Sequence, residues 1–153
     1  MTPRRWTDPS DWDALLALLH RAFAYMDGVI DPPSSLHRLT PTVIADLSRT
    51  AEVWAIGDPP LACVFLTPRD DALYIGKLAI DPAEQGKGHA RRLITLAETR
   101  ARALVLPALE LQTRVELTAN HAIFARLGFT RTAATAHPGY ARPTTLTFRR
   151  ALP

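Results

Sequence analysis

The stretch Leu73–Tyr74–Ile75–Gly76–Lys77–Leu78–Ala79–Ile80–Asp81–Pro82–Ala83–Glu84–Gln85–Gly86–Lys87–Gly88–His89–Ala90–Arg91–Arg92 runs from an apolar strand through a glycine-bearing turn into a basic helix start. Gly86 and Gly88 let successive backbone N–H groups converge on an anion at the positive end of a helix dipole, and Lys87, Arg91 and Arg92 surround it with full charges. The spacing is not Gly-x-x-x-x-Gly-Lys-Ser/Thr, which excludes a nucleoside triphosphate loop. Arg91 stands where a dinucleotide fingerprint needs its third glycine, so Gly-x-Gly-x-x-Gly fails as well. The stretch reads as a phosphate cradle of another kind.

Outward from this cradle, the periodicities alternate between strand and helix. Upstream, Thr2 to Trp6 can form a first strand, and Ser10 with Asp13 resembles a capping box before Trp12, Leu15, Leu16, Leu19 and Phe23 at helical spacing. Thr40 before Pro41 marks a second helix start, continuing to about Arg49. Glu52 to Ile56, Leu61 to Thr67 and Ala72 to Ile80 are apolar runs parted by turn residues, an antiparallel meander. Downstream, Ala90, Leu93, Ile94, Ala97, Ala101 and Leu104 repeat as one helix face, with Pro107 as its stop. Leu109, Leu111, Thr113 and Val115 alternate with polar residues as a strand does. Thr118 can cap another helix and Gly128 end it, before final strands at Arg131 to Ala136 and Thr144 to Arg150 around the turn His137–Pro138–Gly139–Tyr140. The expected order is β-α-α-β-β-β-α-β-α-β-β.

A second signature follows about thirty residues later: Glu116–Leu117–Thr118–Ala119–Asn120–His121–Ala122–Ile123–Phe124–Ala125–Arg126–Leu127–Gly128–Phe129 places an asparagine at a helix opening that ends in Leu-Gly-Phe. Together with Gln85-x-x-Gly88-x-Ala90 after a strand ending in Asp81–Pro82, it resembles the GNAT superfamily of acetyl-CoA-dependent N-acetyltransferases. The element order is also that of the GNAT fold, which implies an α/β (α+β) chain with a mixed, mostly antiparallel central sheet flanked by helices, as one domain over residues 1–153.

The resemblance further implies a site. Two central strands splay and the thioester of acetyl-CoA lies between them, attacked directly by an amine in a ternary complex without a covalent enzyme intermediate. Leu78, Ala79 and Ile80 would pair by backbone with the pantetheine arm, and an N–H near Leu78 or Ala79 would polarise the thioester carbonyl. Gln85, Gly86, Lys87, Gly88, His89, Ala90 and Arg91 would form the pyrophosphate loop, with Asn120 reaching the amide arm. Phe124 stands at the cofactor-facing position where the family usually carries a tyrosine that protonates the departing thiolate, and a phenyl ring cannot donate. Tyr140 is then the favoured replacement hydroxyl, ahead of Tyr74. Glu116 is the first choice for the base that takes the amine's proton, with a plain surface carboxylate as the competing reading. His137 and His37 can titrate near neutrality but are also ordinary surface histidines. The segment Tyr25 to Leu39, where the family varies with its acceptor, offers Asp27, Asp31, Ser34 and His37 for a cationic substrate.

Composition bounds these readings. The chain has 153 residues, 47% hydrophobic and 22% charged, enough to bury a core without staples. No apolar run reaches the ~20 residues of a membrane span, and Met1 to Pro9 lacks the apolar middle of a secretion signal, so a cytoplasmic location is expected. Cys63, the single cysteine, sits in an apolar run, which excludes an internal disulfide and suggests no metal site. Seven Lys/Arg against ten Asp/Glu precede Asp81, whereas eleven against five follow from it onward. A basic C-terminal half suits a polyphosphate ligand. Nucleic acid is disfavoured as a partner, since the basic residues form no long run and are not interleaved with aromatics. The leading expectation is N-acetyl transfer to a primary amine of a small molecule or peptide; the alternative is a non-catalytic acyl-CoA-binding sensor of the same fold. Acceptor identity, acyl length and oligomeric state, including a homodimer, stay open.

Overall fold

The computed structural model describes all 153 residues. The strands are β1 (Arg4–Arg5), β2 (Glu52–Ile56), β3 (Ala62–Pro68), β4 (Leu73–Ile80), β5 (Ala108–Arg114), β6 (Thr130–Thr135) and β7 (Thr145–Ala151). The helices are α1 (Trp12–Phe23), α2 (Pro41–Leu47), α3 (His89–Ala103) and α4 (Thr118–Arg126), with short 3-10 turns at Ala24–Met26, Ser35–Arg38 and Pro82–Glu84. Set aside the 3-10 turns, and the order is the one read from the sequence. One sheet runs β1-β2-β3-β4-β5-β7-β6, antiparallel throughout except for β4 beside β5.

Strand alternation divides the core into two layers. Val64 and Leu66 of β3 join Leu93, Ile94, Ala97 and Ala101 of α3 on one face. Cys63 and Phe65 join Leu15, Leu18 and Leu19 of α1 and Ile44 of α2 on the other. Burial on both faces explains why β3 reads as a continuous apolar run. It also pushes the Cys63 thiol up to about 12, so the side chain is a packing residue and not a nucleophile.

In β4 the alternation reverses. Leu73 and Ile75 pack on the α3 layer, yet Ala79, four residues past Ile75, packs on the α1 layer. The cause is a bulge: the register with β3 slips between Cys63↔Ala79 and Phe65↔Gly76, and Lys77 takes a left-handed φ of 47° to accommodate it.

Several boundaries differ from expectation for local reasons. Asp11, not Ser10, caps α1, because its extended backbone lets Oδ1 accept the Ala14 N–H at 2.9 Å. Thr118 is already helical and α4 starts from Leu117 without a side-chain cap. Helix α3 ends at Ala103, ahead of Pro107, as Val105 turns to φ 58°. The first strand shrinks to Arg4–Arg5.

The layers are tied by a bidentate pair in which Arg100 of α3 donates from Nε and Nη2 to Glu52 of β2 at 2.8 and 2.9 Å. Burial alone would raise the Glu52 carboxyl. The hydrogen bonds from Arg100 and Trp54 outweigh that and hold it below its ordinary 4.5. A folded-state pKa below the unfolded one stabilises the protein fully above about pH 4.5, and this contribution is lost as pH falls through the lower folded value. Acid titration followed by Trp54 fluorescence is therefore expected to show a loss of stability below pH 4.5 that Glu52→Gln flattens. An unchanged acid limb in that variant would contradict this coupling.

Candidate active site

The parallel strands β4 and β5 pair only from Leu73↔Leu109 to Ile75↔Leu111, although β4 runs on to Ile80 and β5 to Arg114. Beyond Ile75 they part as a fork. Asp81 N donates to Leu61 O, the residue just before β3, so alternation turns the polar groups of Ile80 and Leu78 away from β3, into the gap. Ala79 instead faces β3, opposite Cys63. Of the two N–H groups expected near a thioester, the structure thus turns that of Leu78 toward the fork.

At the open end of β4, Asp81 caps the Pro82–Glu84 turn through the Ala83 N–H at 3.0 Å and pairs with Arg21 of α1 at 3.1 Å. The chain then passes Gly86 and Gly88, both left-handed at φ 81° and 83°, into α3. None of the seven backbone N–H groups from Gln85 to Arg91 has a hydrogen-bond partner in the protein; the first helical bond is Arg92 N to Gly88 O. A run of unsatisfied donors at a helix N-terminus is an anion cradle, and no Cβ of Gly86 would meet anything within 4 Å.

Side chains brace this loop from within. Glu84 accepts from Lys87 Nζ at 2.7 Å and contacts His89 Nε2 at 3.1 Å, while Arg92 donates to Lys87 O and to His89 Nδ1, each at 3.0 Å. Arginine cannot accept, so Nδ1 is the unprotonated nitrogen and Nε2–H donates to Glu84. His89, buried at 6% exposure, offers the cradle only its backbone. The Glu84 carboxyl is held below the ordinary range by the Lys87 hydrogen bond first, then by His89. Arg91 remains exposed, beside a groove that follows α3 from Gly88.

The fork opens into a cleft of about 370 Å³ between β4, β5, α4 and the segment after α1. Leu78, Asn120, Phe124 and Ser34 line it. So do His137, which the sequence offers beside His37 as either a base or a surface histidine, and Lys77, Arg114 and Tyr25, three residues that the sequence does not single out for the site. Tyr25 OH accepts from Asn120 Nδ2 at 3.1 Å, so its own proton is free. Asn120 and Phe124 lie one turn apart on the same face of α4. His137 contacts the Thr144 hydroxyl through Nδ1, leaving Nε2 unengaged. No local pattern flags Tyr25 or Lys77, because a bulge and a 3-10 turn decide where they point.

Other expected site residues face protein partners. Tyr140 OH donates to Asp31 Oδ1 at 2.6 Å, which raises its pKa, and Arg142 contacts Asp31 Oδ2 at 3.4 Å. Glu116 Oε2 accepts the Asp31 N–H at 3.0 Å, and Glu116 Oε1 is buried without a partner. Arg114 donates to the carbonyls of Pro32 and Pro33 at 2.7 and 3.4 Å. Asp27 pairs with exposed His37 at 2.9 Å. Asp31, Glu116 and Tyr140 thus clamp the segment after α1 over the cleft, and none of Asp27, Asp31, His37, Glu116 and Tyr140 lines it.

Residues 12–129 match the model of the acetyltransferase (GNAT) family. The chain belongs to that family. Solved structures agree in fold across almost the whole chain. PaiA N-acetyltransferase from Thermoplasma acidophilum, in complex with coenzyme A, superposes with a TM-score of 0.79 at 11% identity over 98% of each chain. The ribosomal-protein-S18-alanine N-acetyltransferase of Escherichia coli gives 0.74 at 15% identity, covering 98% of this chain and 92% of its own. A GNAT family acetyltransferase from Elizabethkingia anophelis with acetyl-CoA bound gives 0.68 at 16% identity, covering 99% and 97%. No curated protein matches the sequence. Within this GNAT chain, the fork and the loop of free amides are joined by one segment of chain, from β4 into α3. No helix is long and apolar enough to cross a membrane.

Proposed function

We propose that this protein is an N-acetyltransferase that moves the acetyl group of acetyl-CoA to a primary amine of a small molecule or peptide, by direct attack in a ternary complex. The observation that carries the reading is the run of seven unpartnered amides from Gln85 to Arg91 at the end of an unpaired strand fork. These amides hold the diphosphate, with Arg91 adding charge outside and Lys87, His89 and Arg92 bracing the loop. The gap-facing groups of Leu78 and Ile80 pair with the pantetheine arm, and Asn120, anchored on Tyr25, presents its remaining amide oxygen to it. Acetyl-CoA supplies an acyl group on a thiol whose pKa near 8.5 makes it a tolerable leaving group at neutral pH.

The Leu78 N–H stabilises the oxyanion that develops as the amine nitrogen bonds to the carbonyl carbon, a few kcal/mol for one fixed donor. His137, which lines the cleft with its Nε2 unengaged, takes the proton from the attacking nitrogen through water. Tyr25 gives its free proton to the sulfur as the C–S bond breaks, the part that Phe124 cannot play. Glu116 and Tyr140 act at one remove, through Asp31, by holding the acceptor segment in place. The chain works as a single domain in the cytoplasm, where its one buried thiol stays reduced.

Release of free thiol from acetyl-CoA across an amine panel tests the reading. Amine-dependent release supports it; coenzyme A binding without turnover of any amine supports the sensor instead. Tyr25→Phe is expected to lower kcat about tenfold or more while leaving the KM for acetyl-CoA within about twofold, the signature of a lost proton donor. An unchanged kcat would remove Tyr25 from the chemistry.

A further inference from the structure

The charges of the cleft are at odds with a polycationic acceptor. No carboxylate lines it. The nearby acids lie outside the lining: Asp31 is turned to Tyr140 and Arg142, Asp27 to His37, and Glu116 to the Asp31 N–H through Oε2, its Oε1 being buried without a partner. The ionisable side chains that do line it are Lys77, Arg114, His137, Tyr25 and Tyr74, none of them a carboxylate. Arg114 spends two donors on Pro32 and Pro33 carbonyls, which leaves its charge unneutralised at the rim. Lys77 has no hydrogen-bonding or ionic partner; its Nζ lies over the Phe65 ring at 5.6 Å. Burial lowers its pKa, the expected response of a cation removed from water without a counter-charge. The bulge puts it there, since the left-handed Lys77 lies where β4 switches faces beside the fork.

We infer that the acceptor carries a carboxylate beside its amine, that Lys77 binds this carboxylate, and that the substrate class is free amino acids with apolar side chains. The inference rests on the acetyltransferase reading and narrows it. A carboxylate supplies the counter-charge that Lys77 and Arg114 lack, while Met26, Ile30, Leu36 and Leu117 provide an apolar wall for the rest of the molecule. A cationic cleft also disfavours the ammonium form and so raises the share of the neutral amine that attacks. Peptide N-termini are disfavoured, because their adjacent carboxyl is an uncharged amide.

The test compares leucine, methionine and phenylalanine with their carboxamides, their decarboxylated amines and spermidine, as thiol release at saturating acetyl-CoA. At least one amino acid is expected to exceed its carboxamide by about tenfold or more in kcat/KM, a charge-assisted hydrogen bond being worth that much. This holds although the carboxamide's amine is less basic and so more often neutral. Lys77→Met should raise the KM for the amino acid and collapse the ratio to about one, and Lys77→Arg should retain it. A cooperative melt shows that each variant folds. Equal or better turnover of carboxamides, decarboxylated amines or spermidine by the wild-type protein would overturn the inference, as would no turnover of any amino acid by a protein that coenzyme A stabilises against heat. Absence of both stabilisation and turnover would instead sink the acetyltransferase reading beneath it.

Discussion

Gly88→Val is expected to weaken coenzyme A binding at least a hundredfold in a protein that still folds. Gly88 sits at φ 83° as the residue before α3, and a Cβ there would come no nearer than 3.8 Å to the Arg92 guanidinium. The effect is therefore not a clash. It is the backbone: an L residue in the left-handed region costs roughly 1–2 kcal/mol, more for a β-branched one, and relieving the strain rotates the peptide planes on either side. The N–H groups of Gly88 and His89 would then leave the common focus. Each donor lost from a charged acceptor removes about 1.5–3 kcal/mol, so two account for a factor of a hundred or more. Gly88→Ala, strained but unbranched, should fall between, near tenfold. Calorimetric titration with coenzyme A measures the series, and a flat series would show that the loop conformation does not matter to binding.

Leu109→Ala is expected to lower stability by about 3 kcal/mol, roughly 6–12 °C in Tm for a chain of this size. Leu109 is fully buried at the base of the fork, opposite Leu73 of β4 and Arg150 of β7, in the layer that α3 covers. Neighbours on three sides limit collapse into the space left by the truncation. Since the free amides lie at the far end of β4, coenzyme A should still raise the melting temperature of the variant. A loss of less than about 1 kcal/mol by denaturant unfolding would mean that the pairing of β4 with β5 does not carry the core.

The order of elements was legible because each rests on a local period: the alternation of Leu109, Leu111 and Thr113, or the α3 face of Leu93, Ile94, Ala97 and Ala101, repeats over several turns of chain. The loop was legible for a similar reason, since Gly86 and Gly88 announce a backbone few other residues adopt. What escaped lies in long-range geometry. The Lys77 bulge leaves no mark in an apolar run, yet it turns a lysine into the cleft and inverts which of Leu78 and Ala79 faces the fork. Asp27 and Asp31 looked like acceptor ligands by charge alone, whereas the groups that occupy them, His37, Tyr140 and Arg142, lie far off in sequence or across a turn. Tyr25 carries no motif; only its 3.1 Å contact with Asn120, ninety-five residues away, brings its hydroxyl to the helix face of Phe124.

Amide hydrogen exchange with and without coenzyme A examines the cradle without any substitution. The N–H groups from Gln85 to Arg91, open to solvent exchange in the free protein, should become protected when coenzyme A binds, and desulfo-coenzyme A should protect them equally because the diphosphate is retained. Tight binding that leaves those seven amides exchanging at their free rates would contradict the account.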